Sequence, residues 1–257
     1  MVKGLDLFRQ HFADCANQYV LIGGTAATLA MEDAGLDFRA TKDLDIVLHI
    51  EALTAAFGTA FWTFVEEGRY TIRQASGTGK PVHYRFSKPA DDRFPAMLEL
   101  FCRAPDGITL LEGSHLTPIP LSEAVASLSA ILLDEDYYEF IMSGRRESGG
   151  LSWVGEDRLI ALKASAWLDL TARQARGEAV DNKDVRKHAN DVIRLSQLLT
   201  PDLRVPLASK IADDLNRFLD GLAADRSFDP QSLKIANTIE VIIERIALAY
   251  DLKRGRT

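Results

Sequence analysis

The fold of this protein is decided by residues 19–48, which read YVLIGGTAATLAMEDAGLDFRATKDLDIVL. A short apolar run typical of a β-strand ends at the pair Gly23-Gly24, and an alanine-rich, helix-like segment follows it. The chain then enters a second apolar strand through Asp43-x-Asp45.

The two aspartates of this strand point the same way, because side chains alternate between faces and these two lie roughly 6.5–7 Å apart. Two carboxylates at that spacing repel each other unless a cation lies between them, and a divalent metal is the usual partner. A glycine pair that opens a helix exposes backbone N–H groups at the positive end of the helix dipole, where phosphate binds. Each feature alone is weak, since Asp-x-Asp is often a turn or a cap and glycine pairs serve many tight turns. Together they indicate phosphoryl or nucleotidyl transfer.

The composition is that of an ordinary globular protein and excludes the disordered and fibrous classes. The 257 residues are 47% hydrophobic and 26% charged. No stretch approaches the roughly 18 uninterrupted apolar residues of a membrane span, and the N-terminus lacks the apolar region of a secretory signal. Cys15 and Cys102 lie far apart in sequence and do not form a metal-type pair. The simplest interpretation is a protein of a reducing intracellular compartment. We therefore expect a cytoplasmic protein that does not associate with a membrane.

The negative charge is concentrated in the first part of the chain. Residues 1–150 contain 13 Lys and Arg against 21 Asp and Glu, whereas residues 151–257 contain 17 against 16. An acidic first part is compatible with a metal site. It argues against a protein that coats nucleic acid non-specifically, so any RNA contact has to be local.

The hydrophobic pattern predicts an α+β fold in which a small mixed sheet is flanked by helices. We expect a catalytic lobe over residues 1–155 and a helical lobe, completing a cleft, over residues 156–257. The predicted strands cover 19–22, 44–50, 70–74, 82–86 and 96–103, with a hairpin connection at 76–81, a turn-rich stretch at 104–121, and a second hairpin between 137–143 and 151–154. The predicted helices cover 4–17, 25–34, 53–67, 121–133, 157–176, 182–199, 206–223 and 230–252.

Glu99 interrupts the apolar strand at 96–103 and is a candidate third carboxylate. A buried, unpaired carboxylate would be costly and would tend to stay protonated. A metal shared with Asp43 and Asp45 would remove that cost. The alternative is a strand with one solvated face.

With these residues in place, the sequence resembles a known family, the AbiEii-type branch of the DNA-polymerase-β-like nucleotidyltransferase superfamily. The resemblance begins with GGT at 23–25 and RATKDLD at 39–45, where the Arg-x-Thr spacer before Asp-x-Asp is typical of that branch. It continues with DRLIALKA at 157–164 and KDVRKHAND at 183–191. The resemblance implies a polymerase-β-like catalytic lobe followed by helices that complete the cleft.

The resemblance also implies the metal and phosphate ligands of the first lobe. Asp43, Asp45 and Glu99 would bind two Mg²⁺ ions, and Asp45 or Glu99 could take the proton of the acceptor. Five residues of the glycine turn and the spacer would bind the triphosphate and the nucleotide: Gly23, Gly24, Thr25, Arg39 and Thr41. For Arg39, bracing the acidic strand is the alternative.

In the helical lobe the resemblance implies that Lys163 pairs with nucleotide phosphates and that Asp184 is catalytic. Lys187 and Asp191 would join Asp184 in lining the cleft and binding the nucleotide. These last three residues also form one stripe of a helix, which is usually a solvated face joined by ion pairs. For Lys163 the alternative is a lysine whose stem covers an apolar face.

The function implied by the resemblance is Mg²⁺-dependent transfer of a nucleotide from a nucleoside triphosphate to an RNA, tRNA-like, or protein acceptor. Proteins of this branch are toxins of AbiE-like toxin–antitoxin systems, so a cognate antitoxin is the implied partner. A small-molecule nucleotidyltransferase of the antibiotic-modifying type is an alternative, because an acidic lobe favours a cationic acceptor. A protein that binds nucleotide without turnover is another.

Overall fold

The computed structural model of the protein describes residues 2–74, 81–104, 116–119 and 129–253. The chain divides into two units. Residues 1–29 and 39–154 belong to the first unit, and residues 30–38 and 155–257 belong to the second. Each has a hydrophobic core of its own.

The first unit is built on a mixed sheet. Its described elements in chain order are α1 (Leu5–His11), β1 (Tyr19–Ile22), α2 (Gly23–Asp33, which runs on into the second unit), β2 (Asp43–Leu48), α3 (Ala55–Gly68), β3 (Thr71–Gln74), β4 (Pro81–Ser87), β5 (Met97–Cys102), β6 (Leu116–Pro118), β7 (Ser129–Leu132), α4 (Glu135–Ser143), β8 (Arg145–Ser148) and β9 (Leu151–Val154). The main path of the sheet has the order β3-β4-β5-β2-β1-β9-β8, and β7 pairs with both β5 and β6.

The order and directions of the strands determine which residues lie beside the acidic strand β2. The strand pairs β1/β2 and β4/β5 are antiparallel, whereas β2/β5 and β1/β9 are parallel. The acidic strand β2 therefore lies between β1, which leads into the glycine turn, and β5, which carries Glu99. The predicted α+β class with a mixed sheet flanked by helices is confirmed.

The core of the first unit is aromatic. Phe8, Phe12 and Phe64 are completely buried, with ring centroids 4.5 Å apart for Phe8 and Phe12 and 5.5 Å apart for Phe12 and Phe64. Phe57 and Phe61 of α3 extend the cluster. Such ring pairs stabilise by about 0.5–1.5 kcal/mol beyond the area they bury, so they hold α3 against the segment that carries Phe8 and Phe12.

The second unit is helical. It contains α5 (Glu156–Ala175), α6 (Asn182–Leu195), α7 (Ser209–Ala224) and α8 (Ile239–Ala249), with short 3₁₀ turns at Ser196–Leu198 and Pro230–Leu233. Trp167 of α5 packs edge-on against Phe218 of α7 at 5.4 Å between centroids. Among the described residues, no helix combines the length and the apolar composition that crossing a membrane requires.

Three predicted helices differ from the structure. The end of the predicted helix 121–133 is strand β7, because residues 129–132 find partners in β5 and β6; residues 120–128 lie outside the described part. The predicted helix 230–252 is reduced to a 3₁₀ turn and the later helix α8, whose start is capped by Thr238. The predicted helix 4–17 ends at His11 and gives way to a 3₁₀ turn at Ala13–Gln18.

The second predicted hairpin is also corrected. Residues 137–143 belong to helix α4, whose N-terminus is capped by the Asp134 side chain. The hairpin forms instead between β8 and β9, since Gly149 and Gly150 supply the two positive φ angles, 59° and 76°, that a tight turn requires. The hairpin predicted around 76–81 forms as β3 with β4, although its connection at 75–80 lies outside the described residues, as does most of the turn-rich stretch 104–121.

Candidate functional site

The glycine turn brings the start of α2 against the carboxylate of Asp45. Gly23 begins α2 directly after β1 and has φ +67°, a conformation that other residues rarely adopt. A Cβ atom at Gly23 would lie 1.8 Å from Oδ2 of Asp45. Glycine is therefore required twice, once for the backbone angle and once for the space that the carboxylate occupies.

The second glycine lies beneath the Arg-x-Thr spacer. A Cβ atom at Gly24 would be 2.5 Å from Oγ1 of Thr41 and 3.5 Å from Nη2 of Arg39. The hydroxyl of Thr25, which is completely buried, donates to the carbonyl oxygen of Asp43 at 2.9 Å. The start of α2 is thus tied to β2, and a hydroxyl and a guanidinium lie beside amides that have no partner within the helix.

The three carboxylates lie on two adjacent parallel strands. Asp45 is the register partner of Glu99, and Asp43 is the partner of Met97. Cross-strand partners share a face of the sheet, so Asp45 and Glu99 project on the same side, with Asp43 two residues away on that side. Glu99 is only 7% exposed, which excludes the alternative of a solvated face.

Arg85 completes this row of charged residues and was not predicted from the sequence. It lies on β4 opposite Glu99, and both Nε and Nη2 of its guanidinium contact Oε1 of Glu99. The pairing offsets the cost of burying an ionised carboxylate. Only the register between β4 and β5 reveals it, because fourteen residues separate the partners along the chain.

The donor types fit magnesium, since Mg²⁺ is bound by carboxylate oxygens together with water and substrate phosphates. In the described part of the chain, however, no group of three or more His, Cys, Asp or Glu side chains is arranged to hold a metal ion. One oxygen of the third carboxylate, Oε1 of Glu99, faces the guanidinium of Arg85 instead.

A groove of about 570 Å³ adjoins the spacer. Thr41 forms part of its wall, together with Lys3 and Arg93 and the acidic residues Asp6 and Asp92. Its volume falls in the range of small-molecule sites, about 300–1,000 Å³. The groove therefore offers room for a ligand beside Thr41.

A separate polar network lies at the opposite end of β2. Arg103 donates to Glu51 at 2.7 and 2.9 Å, and Tyr138 donates to the same carboxylate at 2.7 Å. Burial by itself would raise the pKa of Glu51, but the hydrogen bonds from Tyr138 and Arg103 outweigh it and lower the pKa. This network fastens α4 to the sheet and provides a comparison for the Arg85–Glu99 pair.

In the second unit the structure joins Lys163 to Asp191. Nζ of Lys163 on α5 lies 2.9 Å from Oδ2 of Asp191 on α6, and the two residues are 5% and 0% exposed. The alternatives of a snorkelling lysine and of a solvated Asp191 are therefore wrong. Asp184 is exposed and Lys187 is half-buried, so the predicted stripe has a buried end and an exposed end.

Comparisons with known proteins give a limited result. No protein-family model matches the sequence, and no curated protein matches it significantly. The chain is 16% identical to a candidate nucleotidyltransferase from H. pylori with a known crystal structure, at a TM-score of 0.35 and with 96% of this chain and 90% of that chain covered. The crystal structure of JHP933 from Helicobacter pylori gives the same identity and TM-score, with 96% and 88% covered. At such TM-scores the likeness carries no inference about activity, which must come from the side chains.

Proposed function

We propose that this protein is a Mg²⁺-dependent nucleotidyltransferase. One observation carries the proposal: the carboxylates of Asp45 and Glu99 lie in register on adjacent strands, while Asp45 also packs against Gly23 at the start of a helix. Asp45 therefore belongs to the proposed metal ligands and also lies against the helix start that is proposed to bind phosphate. That combination suits a reaction whose substrate is a metal-bound polyphosphate.

Each group of the first unit has a role in this proposal. Asp43, Asp45 and Glu99 hold the divalent ions, which when bound polarise the α-phosphate, activate the incoming hydroxyl and stabilise the leaving pyrophosphate. The amides of Gly23 and Gly24 bind the triphosphate. Asp45 or Glu99 accepts the proton of the attacking hydroxyl.

Three further residues surround that phosphate position. Arg39 and Thr41, which lie beside Gly24, add a charge and a hydroxyl to it. The hydroxyl of Thr25 donates to β2, so we assign this residue mainly to positioning the turn. The groove beside Thr41 is the space that we propose for the part of the nucleotide beyond its phosphates.

For the second unit we propose the roles that the resemblance implies, with one condition set by the structure. Lys163 pairs with nucleotide phosphates, Asp184 takes part in catalysis, and Lys187 and Asp191 bind the nucleotide. Because the ammonium of Lys163 is bonded to Asp191, it has to share or leave that carboxylate to meet a phosphate.

The acceptor and the biological role follow from the resemblance. We propose an RNA acceptor, tRNA-like in kind, or a protein acceptor, and a role as the toxin of an AbiE-like pair that a cognate antitoxin neutralises. A small-molecule acceptor is distinguished by its outcome in cells, since expression would confer drug resistance without arresting growth.

The direct test uses Mg²⁺ and each nucleoside triphosphate labelled at the α-phosphate, with total RNA and total protein as acceptors. We expect label transfer by the wild type, its loss in Asp45→Asn, and its retention in Glu66→Gln, which changes an exposed carboxylate on α3. Absence of transfer with every triphosphate and acceptor would refute the proposal. Nucleotide binding that is unaffected by Mg²⁺, without transfer, would instead identify a protein that binds nucleotide but does not turn it over.

A further inference from the structure

The guanidinium of Arg85 and the proposed metal require the same carboxylate. Arg85, Glu99 and Asp45 are consecutive register partners on β4, β5 and β2, so the three side chains form one row across the sheet. Cross-strand partners on one face are close enough to interact directly. A divalent ion held between Asp45 and Glu99 would therefore be the immediate neighbour of Arg85.

Arg85 contacts an oxygen of the carboxylate that is proposed to bind the metal. Two nitrogens of Arg85 converge on Oε1 of Glu99, and the Glu99 side chain is only 10% exposed. A guanidinium and a divalent cation cannot both lie against that oxygen, because they exclude each other sterically and repel each other electrostatically. The Arg85 side chain is 35% exposed, which leaves it a path towards solvent.

We propose that Arg85 is an exchangeable counterion that holds Glu99 when no metal is bound and is displaced when a divalent ion binds. This inference rests on the proposed function, because it takes Glu99 to be a metal ligand. Arg85 is then a positioning residue that keeps a buried carboxylate in place. It also weakens metal binding, since each binding event must break the Arg85–Glu99 pair.

The consequence is a measurable coupling between the two cations. Removing the positive charge of Arg85 removes the competitor, so the protein should bind a divalent ion more tightly. Couplings between two ligands of one protein are commonly 5- to 150-fold, and we expect about tenfold here. The same variant should be less stable without metal, because Glu99 loses its contact with Arg85, and should regain stability when metal binds.

The experiment is a Mn²⁺ titration by calorimetry, with melting curves recorded with and without Mn²⁺. Arg85→Met should bind Mn²⁺ about tenfold more tightly than wild type, and Arg85→Lys should lie between them. The matched control is Arg103→Met, which breaks the Arg103–Glu51 pair at the other end of the sheet and should leave the Mn²⁺ affinity unchanged. Combining Arg85→Met with Glu99→Gln should give no gain over Glu99→Gln alone.

The possible failures are distinguishable. If Mn²⁺ binding depends on Asp45 but is unchanged or weaker in both Arg85 variants, the exchange is overturned while the proposed metal site stands. The exchange is likewise overturned if Mn²⁺ does not restore the lost stability, because a purely structural arginine would lower the melting temperature equally with and without metal. If no Mn²⁺ binding in any variant depends on Asp45 or Glu99, the metal site and the exchange fail together.

Discussion

Replacing Gly23 by alanine should damage the proposed site in two separable ways. The residue has φ +67°, and a non-glycine residue in that region costs about 1–2 kcal/mol. At roughly 2–4 °C per kcal/mol for a chain of this size, the melting temperature should fall by about 2–8 °C. The new Cβ would also lie 1.8 Å from Oδ2 and 2.8 Å from Cγ of Asp45, so that carboxylate must rotate away.

The second effect is the one that tests the site. A misplacement of about 1 Å can cost about 100-fold in rate, so Gly23→Ala should lose at least that much transfer activity. It should also lose the Mn²⁺ binding that depends on Asp45. The assays are label transfer, Mn²⁺ calorimetry and thermal melting on the same preparations.

Gly149→Ala is the matched control. Gly149 lies in the β8–β9 turn with φ +59°, and a Cβ atom there would meet nothing within 4 Å. The control should therefore lose similar stability and keep its activity. Full activity in Gly23→Ala, or an equal loss of activity in Gly149→Ala, would refute the reasoning that Gly23 makes room for a catalytic carboxylate.

Three further predictions concern stability and reactivity. Lys163→Met removes the ammonium that lies 2.9 Å from the buried carboxylate of Asp191 and should reduce the free energy of unfolding by about 3–5 kcal/mol in urea titrations, whereas Arg173→Met, which breaks exposed pairs, should change it far less. The pKa of Glu51 is lowered in the folded protein, so its contribution to stability is present above the unfolded pKa, about 4.3, and is lost as the pH falls through the folded pKa. The difference in free energy of unfolding between wild type and Glu51→Gln should therefore shrink on acidification. A difference that stays constant with pH would contradict this prediction. Burial raises the pKa of Cys102 to about 12, so a thiol reagent at pH 8 should modify the partly exposed Cys15 first and reach Cys102 only on unfolding; equal rates in the native protein would show this to be wrong.

The sequence predicted most of the elements because their signals are local. A short apolar run marks the strand at 19–22, and alternation marks the strand at 82–86. The 3.6-residue period marks the helices of the second unit, most of which form close to the predicted bounds. Strand β7 at 129–132 was missed because its stabilising partners, β5 and β6, are distant in sequence. The local sequence there favours a helix, but strand pairing in the folded protein overrides that preference.

The candidate site likewise contains residues that could be identified from the sequence and one that could not. The carboxylates Asp43, Asp45 and Glu99 could be named from the sequence, because two alternate in one strand and the third interrupts an apolar one. Arg85 could not be named, because nothing within its own strand distinguishes it from a solvated arginine.

By itself, then, the sequence determined the strand–glycine–helix–acidic strand order and the residue types that suit a metal-bound polyphosphate. The tertiary structure alone decided which charges meet: Arg85 with Glu99 in the sheet, and Lys163 with Asp191 between two helices. The physical reason is that spacing along the chain sets which face a side chain occupies, whereas strand register and helix packing set its partner. Burial then makes those partners matter, because a charge removed from water is stable only beside its opposite.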